Sequence, residues 1–402
     1  MRIHTSGRKV RLFNPRNTRP NYLTDVRFRD TIQIADVEVF PIRASGGVSP
    51  KMALGTMPTR PALLVRINDR SGCFGWGEVW ANFPPRANLH KAHIIDDVIA
   101  AHLKDFTYTD PREVLDALRA ELSIFFLHVG QAQVFEHILA GIDAALWDLT
   151  LRHTGISFAA FMKLSEPSAL SYATSINAED LETLIPHHAD LGQTYFKLKV
   201  GFAEHDSVEI VRRAAMLCPR GSRIMVDSNQ SWTLAEAKSS LQAIEGFDPF
   251  FAEEALPADA PIAAWEELAK ATRIPLAGGE NIYSIDHFLT MTRAGMRVLQ
   301  PDVAKWGGVS GALDLADAVP EDVLIWPHFM GTAIGQLAAL SISAAIGQAS
   351  VCEVDVNENA LRTRLCGSVI TIQDGKVALP SEPGLVRPPD IEILTEYLER
   401  VY

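Results

Sequence analysis

Residues that can bind a metal or carry a proton recur at the ends of short apolar segments in the second half of the chain. Lys197 and Lys199 stand two residues apart in one segment, so in a β-strand both side chains point to the same face. The next three segments each end in a carboxylate, at Asp227, Glu253 and Glu280. Carboxylates that meet in a cleft cannot all stay ionised without a cation. Because Mg²⁺ prefers hard oxygen ligands and leaves positions open for substrate, the pattern predicts a Mg²⁺ site.

The last three segments end in residues suited to proton transfer, at Asp302, His328 and Glu353. The Asp302 carboxylate could orient the His328 imidazole, and Glu353 could form a hydrogen bond with a substrate carboxylate. Two ammonium groups beside a metal favour the neutral amine in one lysine, which makes that lysine a base. Taken alone, an acidic residue after a strand is more often a helix N-cap than a functional group. The two lysines alone could be a solvated edge, and His328 alone would more often be structural than catalytic. Their repetition at successive segment ends favours one active site.

These endings follow eight apolar runs at nearly even spacing. Helical stretches lie between the runs, and this alternation predicts βαβ units and a parallel sheet. Eight repeats close an α/β barrel, whose active site lies at the carboxyl ends of its strands. A doubly wound open sheet is the alternative, but the first strand-to-helix turn has no glycine-rich phosphate-binding pattern. The runs are centred near residues 173, 197, 226, 252, 277, 300, 326 and 352.

The chain divides into four predicted parts. A basic arm covers residues 1–30, an α+β capping domain residues 31–153, and the α/β barrel residues 154–367, while residues 368–402 return to the capping domain. In the capping domain, strands are predicted at 32–42, 62–67 and 73–80, a mobile loop at 43–61, and helices near 86–104, 111–125 and 131–153.

Composition narrows the possible partners. The 402 residues carry a formal net charge of −12, which argues against nucleic-acid binding. No apolar run approaches the roughly 18 residues of a membrane span. The four cysteines are scattered, which is typical of a reduced, cytoplasmic protein. The arm is rich in arginine and lysine and is interpreted as disordered or as clasping a partner; an organelle presequence or an over-long start is the alternative.

At this point the residues resemble the mandelate racemase branch of the enolase superfamily. The resemblance runs from about residue 31 to 385 and includes GWGE at 75–78, AGIDAALWDL at 140–149 and KLKVG at 197–201. It continues through VDSNQSW, FAEE, GGEN, PDVAKWGGVSG and WPHF. It implies a modified TIM barrel of (β/α)7β type with an α+β capping domain completed by the C-terminal segment. One departure is Ala255, which stands where the family usually has proline.

The resemblance also implies roles for the site residues. One Mg²⁺ per subunit would be held by Asp227, Glu253 and Glu280, with Glu254 as a competitor for the middle position. Lys199 would be the base on one face of the substrate and His328 with Asp302 the acid/base on the other. Lys197 and Glu353 would contact the substrate carboxylate and the enolate formed from it. Substrate contacts are also expected from Asn229, Trp80 and Lys51, the last two on capping-domain loops that close over the barrel.

The predicted function is abstraction of the proton next to a carboxylate, with dehydration of an acid sugar or related hydroxy acid to a 2-keto acid as the favoured reaction. Racemisation or epimerisation is the alternative, and a non-catalytic metal- and carboxylate-binding barrel is the alternative of another class. A hydrolase with histidine-rich ligands is disfavoured, because residues 174–177 carry no H-x-H pattern. The expected partner is a small carboxylate substrate, and a homo-oligomer is expected from the family.

Overall fold

In the computed structural model, the described residues are 28–45, 51–52, 55–202, 206–347 and 349–400, with residues 51–52 and 55–56 described by their backbone alone. The first half forms an antiparallel sheet covered by helices. The sheet order is β5-β4-β1-β6, while β2 and β3 pair only with each other. The strands are β1 (Ile32–Ser45), β2 (Lys51–Met52), β3 (Gly55–Thr56), β4 (Thr59–Asp69), β5 (Phe74–Val79) and β6 (Thr107–Tyr108).

The helices of this half pack on one face of the sheet. The predicted helix near 86–104 is divided by a π-helical turn at Ile95–Ile99, and the predicted helices near 111–125 and 131–153 are each present as one element. The longest of them begins in a segment with no side-chain cap and is buried over most of its length, so tertiary packing stabilises it. The helices are α1 (Ala87–Ile94), α2 (Ala100–Leu103), α3 (Pro111–His128), α4 (Ala132–His153) and α5 (Phe158–Phe161).

The predicted loop at 43–61 is too long at both ends. The ladder between β1 and β4 continues to the pair Ser45 and Thr59, so residues 43–45 and 59–61 belong to strands. The Arg43 guanidinium holds this end of the ladder, since it donates to Thr59 Oγ1 at 2.8 Å and to Glu399 Oε1 at 2.8 Å. Residues 46–50 and 53–54 lie outside the described residues, as does the side chain of Lys51. All of the basic arm before Phe28 does so too.

The second half contains the eight predicted parallel strands. Seven of them follow the order β13-β12-β11-β10-β9-β8-β7, and β14 pairs with β7 on its other side. Within the described residues no ladder joins β13 to β14, although Glu353 N donates to Pro327 O at 3.3 Å across that seam. The strands are β7 (Ser168–Ile176), β8 (Tyr195–Lys199), β9 (Arg223–Asp227), β10 (Ala252–Glu253), β11 (Leu276–Gly278), β12 (Met296–Leu299), β13 (Leu324–Ile325) and β14 (Cys352–Asp355).

A helix follows most of these strands and returns the chain to the start of the next one. The fold therefore confirms the predicted α/β barrel with its capping domain. Several helices begin with a side-chain cap; Thr233 and Glu236, for example, form a reciprocal capping box. The helices are α6 (Leu181–Asp190), α7 (Ser207–Leu217), α8 (Leu234–Ile244), α9 (Ile262–Ala271), α10 (Ile285–Arg293), α11 (Gly308–Ala318), α12 (Ala333–Ile346) and α13 (Ala360–Thr363).

The C-terminal segment contacts both halves. It contains β15 (Ile372–Gln373), β16 (Lys376–Ala378) and α14 (Ile391–Tyr397), and β16 pairs antiparallel with β7. Beyond α14, Glu399 N donates to Pro41 O at 2.8 Å, which ties the chain end to β1 of the capping domain. The domain boundaries themselves stay a prediction. Among the described residues, no helix is both long and apolar enough to cross a membrane.

Glycines in the GWGE segment allow the capping sheet to contact α4 directly. A Cβ atom on Gly77 would lie 2.0 Å from the carbonyl oxygen of Gly141, and one on Gly75 would lie 2.1 Å from that of Ala145. These contacts are with backbone, which cannot rotate away. The sequence motif therefore has a packing role, because it lets a strand and a helix approach at a distance that no side chain permits.

We expect Gly77→Ala to destabilise the protein by about 3 kcal/mol or more, because the added methyl group displaces α4 from the sheet. Gly246→Ala is the matched control: no atom lies within 4 Å of its added Cβ, so its effect should stay within about 0.5 kcal/mol. Urea unfolding followed by circular dichroism measures both changes. Equal stability of the two variants would contradict the proposed close contact.

Candidate active site

Parallel register places three of the predicted site residues at one level of the barrel. Lys199 on β8 is opposite Asp227 on β9, and Asp227 is opposite Glu253 on β10. All three side chains are buried. Alternation along β8 directs Lys197 to the same interior face, one layer deeper. The strand ends thus bring ammonium and carboxylate groups together in a space where neither could remain charged alone.

Lys197 stands at the centre of this charged layer. Its Nζ lies 2.7 and 2.6 Å from the two carboxylate oxygens of Glu253, 2.9 Å from Glu353 Oε1 and 3.7 Å from Asp227 Oδ2. Burial lowers the pKa of Lys197, but Glu253 and Glu353 outweigh burial and hold it well above its usual value. Lys197 is therefore a permanent cation that joins two strand ends, which suits a donor to a substrate carboxylate.

Lys199 is bound to Asp227 and Asn229. Its Nζ donates to Asp227 Oδ2 at 2.7 Å and to Asn229 Oδ1 at 2.8 Å. Burial and the charge of Lys197 lower the pKa of Lys199, but Asp227 raises it above the usual value. The sequence analysis expected one of the two lysines to be a neutral amine. In this arrangement Lys199 is instead an ammonium ion. The predicted substrate contact Asn229 is in place beside Lys199 and is partly buried.

His328 and Asp302 form the predicted pair. His328 Nδ1 lies 2.8 Å from Asp302 Oδ2, while Nε2 lies 3.4 Å from Glu280 Oε2 and 3.5 Å from Glu353 Oε2. Burial lowers the pKa of His328, but Glu353, Glu280 and Asp302 together raise it to about 10. The imidazole is therefore protonated at neutral pH, with Nδ1–H held by Asp302 and Nε2–H directed into the site.

The two adjacent glutamates have different partners. Glu253 accepts from Lys197 and, at 2.5 Å, from Gln300 Nε2, and burial raises its pKa to about 7. Glu254 has a left-handed backbone, with φ of 43°, and accepts from Asn281 Nδ2 at 2.8 Å. Burial, followed by the charges of Glu280 and Asp227, raises the pKa of Glu254 well above its usual value. Both glutamates thus remain available as the middle ligand of a metal.

Lys305 is a site residue that the sequence analysis did not identify. Its Nζ donates to Glu280 Oε2 at 2.7 Å and to Asn281 Oδ1 at 3.2 Å. It also lies 4.7 Å from the ring centre of Trp80, the predicted substrate contact from the capping domain. Trp80 N donates to Ala304 O at 3.1 Å, so this capping loop is fastened to the barrel beside Glu280. The only sequence signal was the position of Lys305 three residues after Asp302.

The donor set fits a hard divalent cation. Asp227, Glu253 and Glu280 follow three adjacent strands, and each carboxylate is paired with a lysine ammonium group. A metal cation that prefers oxygen ligands could supply the same neutralising positive charge. A second set overlaps it: atoms of Glu280, Asp302 and His328 lie within 4.8 Å of one another. Glu280 belongs to both sets. Asp302 is already engaged, because its carboxylate contacts the His328 ring and accepts a hydrogen bond from the Ala304 amide.

Comparisons with known proteins agree with this architecture. Residues 183–391 match the family described as enolase C-terminal domain-like, and residues 36–162 match the N-terminal domain of mandelate racemase / muconate lactonizing enzyme. A crystal structure of a mandelate racemase/muconate lactonizing enzyme from Bordetella bronchiseptica RB50 superposes with a TM-score of 0.84 and 35% identity. It covers 91% of this chain and 99% of its own.

Two curated relatives act on acid sugars or their lactones. D-galactarolactone cycloisomerase from Agrobacterium fabrum is 26% identical over 357 residues, which is 84% of this chain and 91% of that protein. D-galactonate dehydratase from Verminephrobacter eiseniae is 26% identical over 280 residues, which is 66% of this chain and 71% of that protein.

Charge-neutralising variants should separate the metal ligands from their neighbours. We expect Asp227→Asn, Glu253→Gln and Glu280→Gln each to weaken Mg²⁺ binding by more than about 100-fold, because losing even an outer partner of a ligand costs about 10- to 100-fold. Glu254→Gln should weaken binding less, and Glu38→Gln, a change on the capping sheet where Glu38 pairs with Arg66, should leave it unchanged. Calorimetric Mg²⁺ titration measures all five. A larger loss in Glu254→Gln than in Glu253→Gln would move the middle ligand to Glu254.

Proposed function

The chain belongs to the mandelate racemase / muconate lactonizing enzyme family, and on this premise we propose that it removes the proton next to a substrate carboxylate and eliminates water from an acid sugar. The observation that supports this best is the pair of proton carriers on either side of the carboxylate row. Lys199 contacts Asp227 at one end, and His328 Nε2 faces Glu280 at the other. A substrate seated between them presents opposite faces of its α-carbon to the two groups.

Asp227, Glu253 and Glu280 would hold the Mg²⁺. When bound, the cation supplies positive charge to the substrate carboxylate and so makes the adjacent C–H bond more acidic. Lys197 adds a second positive charge to the same carboxylate from below. Glu353 Oε2, which is buried and has no hydrogen-bond partner among the described residues, is available as an acceptor for a protonated substrate oxygen.

Lys199 is proposed as the base. Burial and Lys197 lower its pKa, and Asp227 and, more weakly, Glu253 raise it. If Asp227 serves as a metal ligand, the lowering influences prevail and the amine can accept a proton. The contact between Lys199 and Asp227 keeps Lys199 an ammonium ion in this arrangement. Metal binding at Asp227 would change that same contact.

His328 is proposed as the acid. Because its pKa is raised to about 10, the imidazolium carries a proton at neutral pH and can give it to a departing β-hydroxyl group. The reaction then balances: Lys199 takes the α-proton, the hydroxyl leaves as water with the proton from His328, and the resulting enol becomes a 2-keto acid. If His328 instead returns its proton to the α-carbon from the opposite face, the product is an epimer, which is the second candidate function.

We expect wild-type enzyme with Mg²⁺ in D₂O to convert at least one acid sugar to a 2-keto acid. Lys199→Ala should lower both α-proton exchange and keto-acid release by about 10²- to 10⁴-fold, because the base is lost. His328→Asn should lower keto-acid release by a similar factor and leave measurable α-proton exchange, since Lys199 still removes the proton. NMR follows exchange, and a carbonyl assay follows the product.

Lys238→Ala changes a half-buried cation of α8 that is paired with Glu267, and serves as the control. Full α-proton exchange and full turnover in both site variants would overturn the roles of Lys199 and His328. Inversion at the α-carbon without keto acid would select the racemase or epimerase.

A further inference from the structure

A second group of charges lies one layer above the site, where the capping domain meets the eighth barrel strand. Glu353 and Asp355 stand two residues apart on β14 and therefore face the same side of the strand. Glu353 contacts Lys197 inside the barrel, and Val351, just before the strand, packs with the barrel core. Asp355 therefore lies about 6.6 Å nearer the barrel mouth than Glu353, given about 3.3 Å of rise per residue. This is the side from which the capping domain covers the barrel.

Asp355 is shared by two arginines. Arg60 Nη2, from β4 of the capping domain, donates to Asp355 Oδ2 at 3.1 Å, and Arg362 Nη1 lies 3.5 Å from the same oxygen. The other oxygen accepts from the backbone and side-chain amides of Asn357 at 3.1 and 2.8 Å. One carboxylate thus faces two guanidinium groups, and the cluster carries a net positive charge.

This positive charge is buried, and the described residues give it no second anion. Arg60 is 6% exposed and Arg362 8% exposed. Within the described part of the chain, the remaining contact of the Arg60 guanidinium is Met57 Sδ at 3.9 Å, a weak acceptor. The neighbouring segment 45–58 contains Lys51 and no aspartate or glutamate, so its sequence adds positive charge and no compensation. Burying an uncompensated charge is costly, which favours a bound anion at this position.

We propose that this cluster binds a second carboxylate of the substrate and that the enzyme acts on acid sugars with a carboxylate at each end, in preference to those with one. The proposal rests on the proposed function, because it places the reacting carboxylate at Lys197 and Glu353. The distal carboxylate then reaches Arg60 one strand layer higher. Arg60 suits this role because its planar guanidinium offers parallel donors that match a carboxylate. The buried Met57 beside it supports the guanidinium instead of forming an apolar pocket.

The test compares matched pairs of acid sugars that differ only in a distal carboxylate or a distal hydroxymethyl group. We expect wild-type kcat/KM to favour the diacid by about 10- to 100-fold, the effect of one or two hydrogen bonds to a charged group. Arg60→Met should lower kcat/KM with the diacid by about 10- to 100-fold more than with the monoacid, which removes the preference. Arg66→Met, which removes a cation on the same strand paired with Glu38, should retain the preference.

Two further measurements separate this proposal from its premise. Calorimetric binding of both acids to Mg²⁺-loaded Lys199→Ala, with and without Arg60→Met, reports on the distal contact without turnover. If Lys199→Ala binds the diacid preferentially and the wild-type enzyme turns over neither acid, the dehydratase function is rejected and the anion site is kept. Equal binding of diacid and monoacid would overturn the anion site, whatever the activity.

A structural role for Arg60 makes a different forecast. If Arg60 only joins the capping domain to the barrel, Arg60→Met and Asp355→Asn should both lower turnover of diacid and monoacid equally. If the cluster binds substrate, Asp355→Asn should keep or increase the diacid preference, because it removes a competing anion from both guanidinium groups while Arg362 Nη2 keeps its bond to Asn357 O at 2.7 Å. Selective binding of a phosphorylated monoacid over the diacid would reject the dicarboxylate and identify a phosphate site instead.

Discussion

The site depends on the mutual neutralisation of buried charges at the carboxyl ends of the barrel strands. Lys197 contacts Glu253 and Glu353 at 2.6 to 2.9 Å, and neither the ammonium group nor the carboxylates could stay ionised there alone. The same rule applies to Lys199 with Asp227 and to Lys305 with Glu280. Each of these lysines is therefore held by a carboxylate from another segment of the barrel. The pKa values of the site are properties of these pairs and not of single residues.

The capping domain is held against this charged layer by buried contacts of its own. Glu78, the last residue of GWGE, accepts hydrogen bonds from Thr332 N, Thr332 Oγ1 and Gly335 N at the start of α12, at distances from 2.6 to 3.1 Å. The adjacent glycines of the same segment contact α4. The four residues of the GWGE segment on β5 thus contact both the capping-domain helix α4 and the barrel helix α12. Trp80, two residues further on, reaches Lys305 because this strand is fixed on both sides.

Most of the site could be predicted because two simple rules place it: alternation along a strand and the meeting of strand ends at one face of a barrel. These rules brought together Lys199, Asp227 and Glu253, which lie in register in the structure. They also reached Glu280, Asp302 and His328, which follow their strands by two or three residues, but they do not set the direction of a side chain with irregular backbone or identify a residue inside a loop. The direction of the Glu254 side chain depends on a left-handed backbone, and Lys305 lies in a loop without periodicity. The extent of the loop after β1 depended on cross-strand pairs that no local pattern encodes.

The pKa of Lys199 shows why geometry adds chemistry that spacing cannot supply. Two lysines two residues apart repel, and from this repulsion alone one of them should be neutral. In the structure each lysine has its own carboxylate, so both are cations. Repulsion between Lys197 and Lys199 is still present, and it is offset by Asp227. The ammonium state of Lys199 therefore depends on Asp227, and a second cation that engaged this carboxylate would lower the pKa of Lys199. The proposed proton abstraction would then be coupled to the binding of the proposed metal.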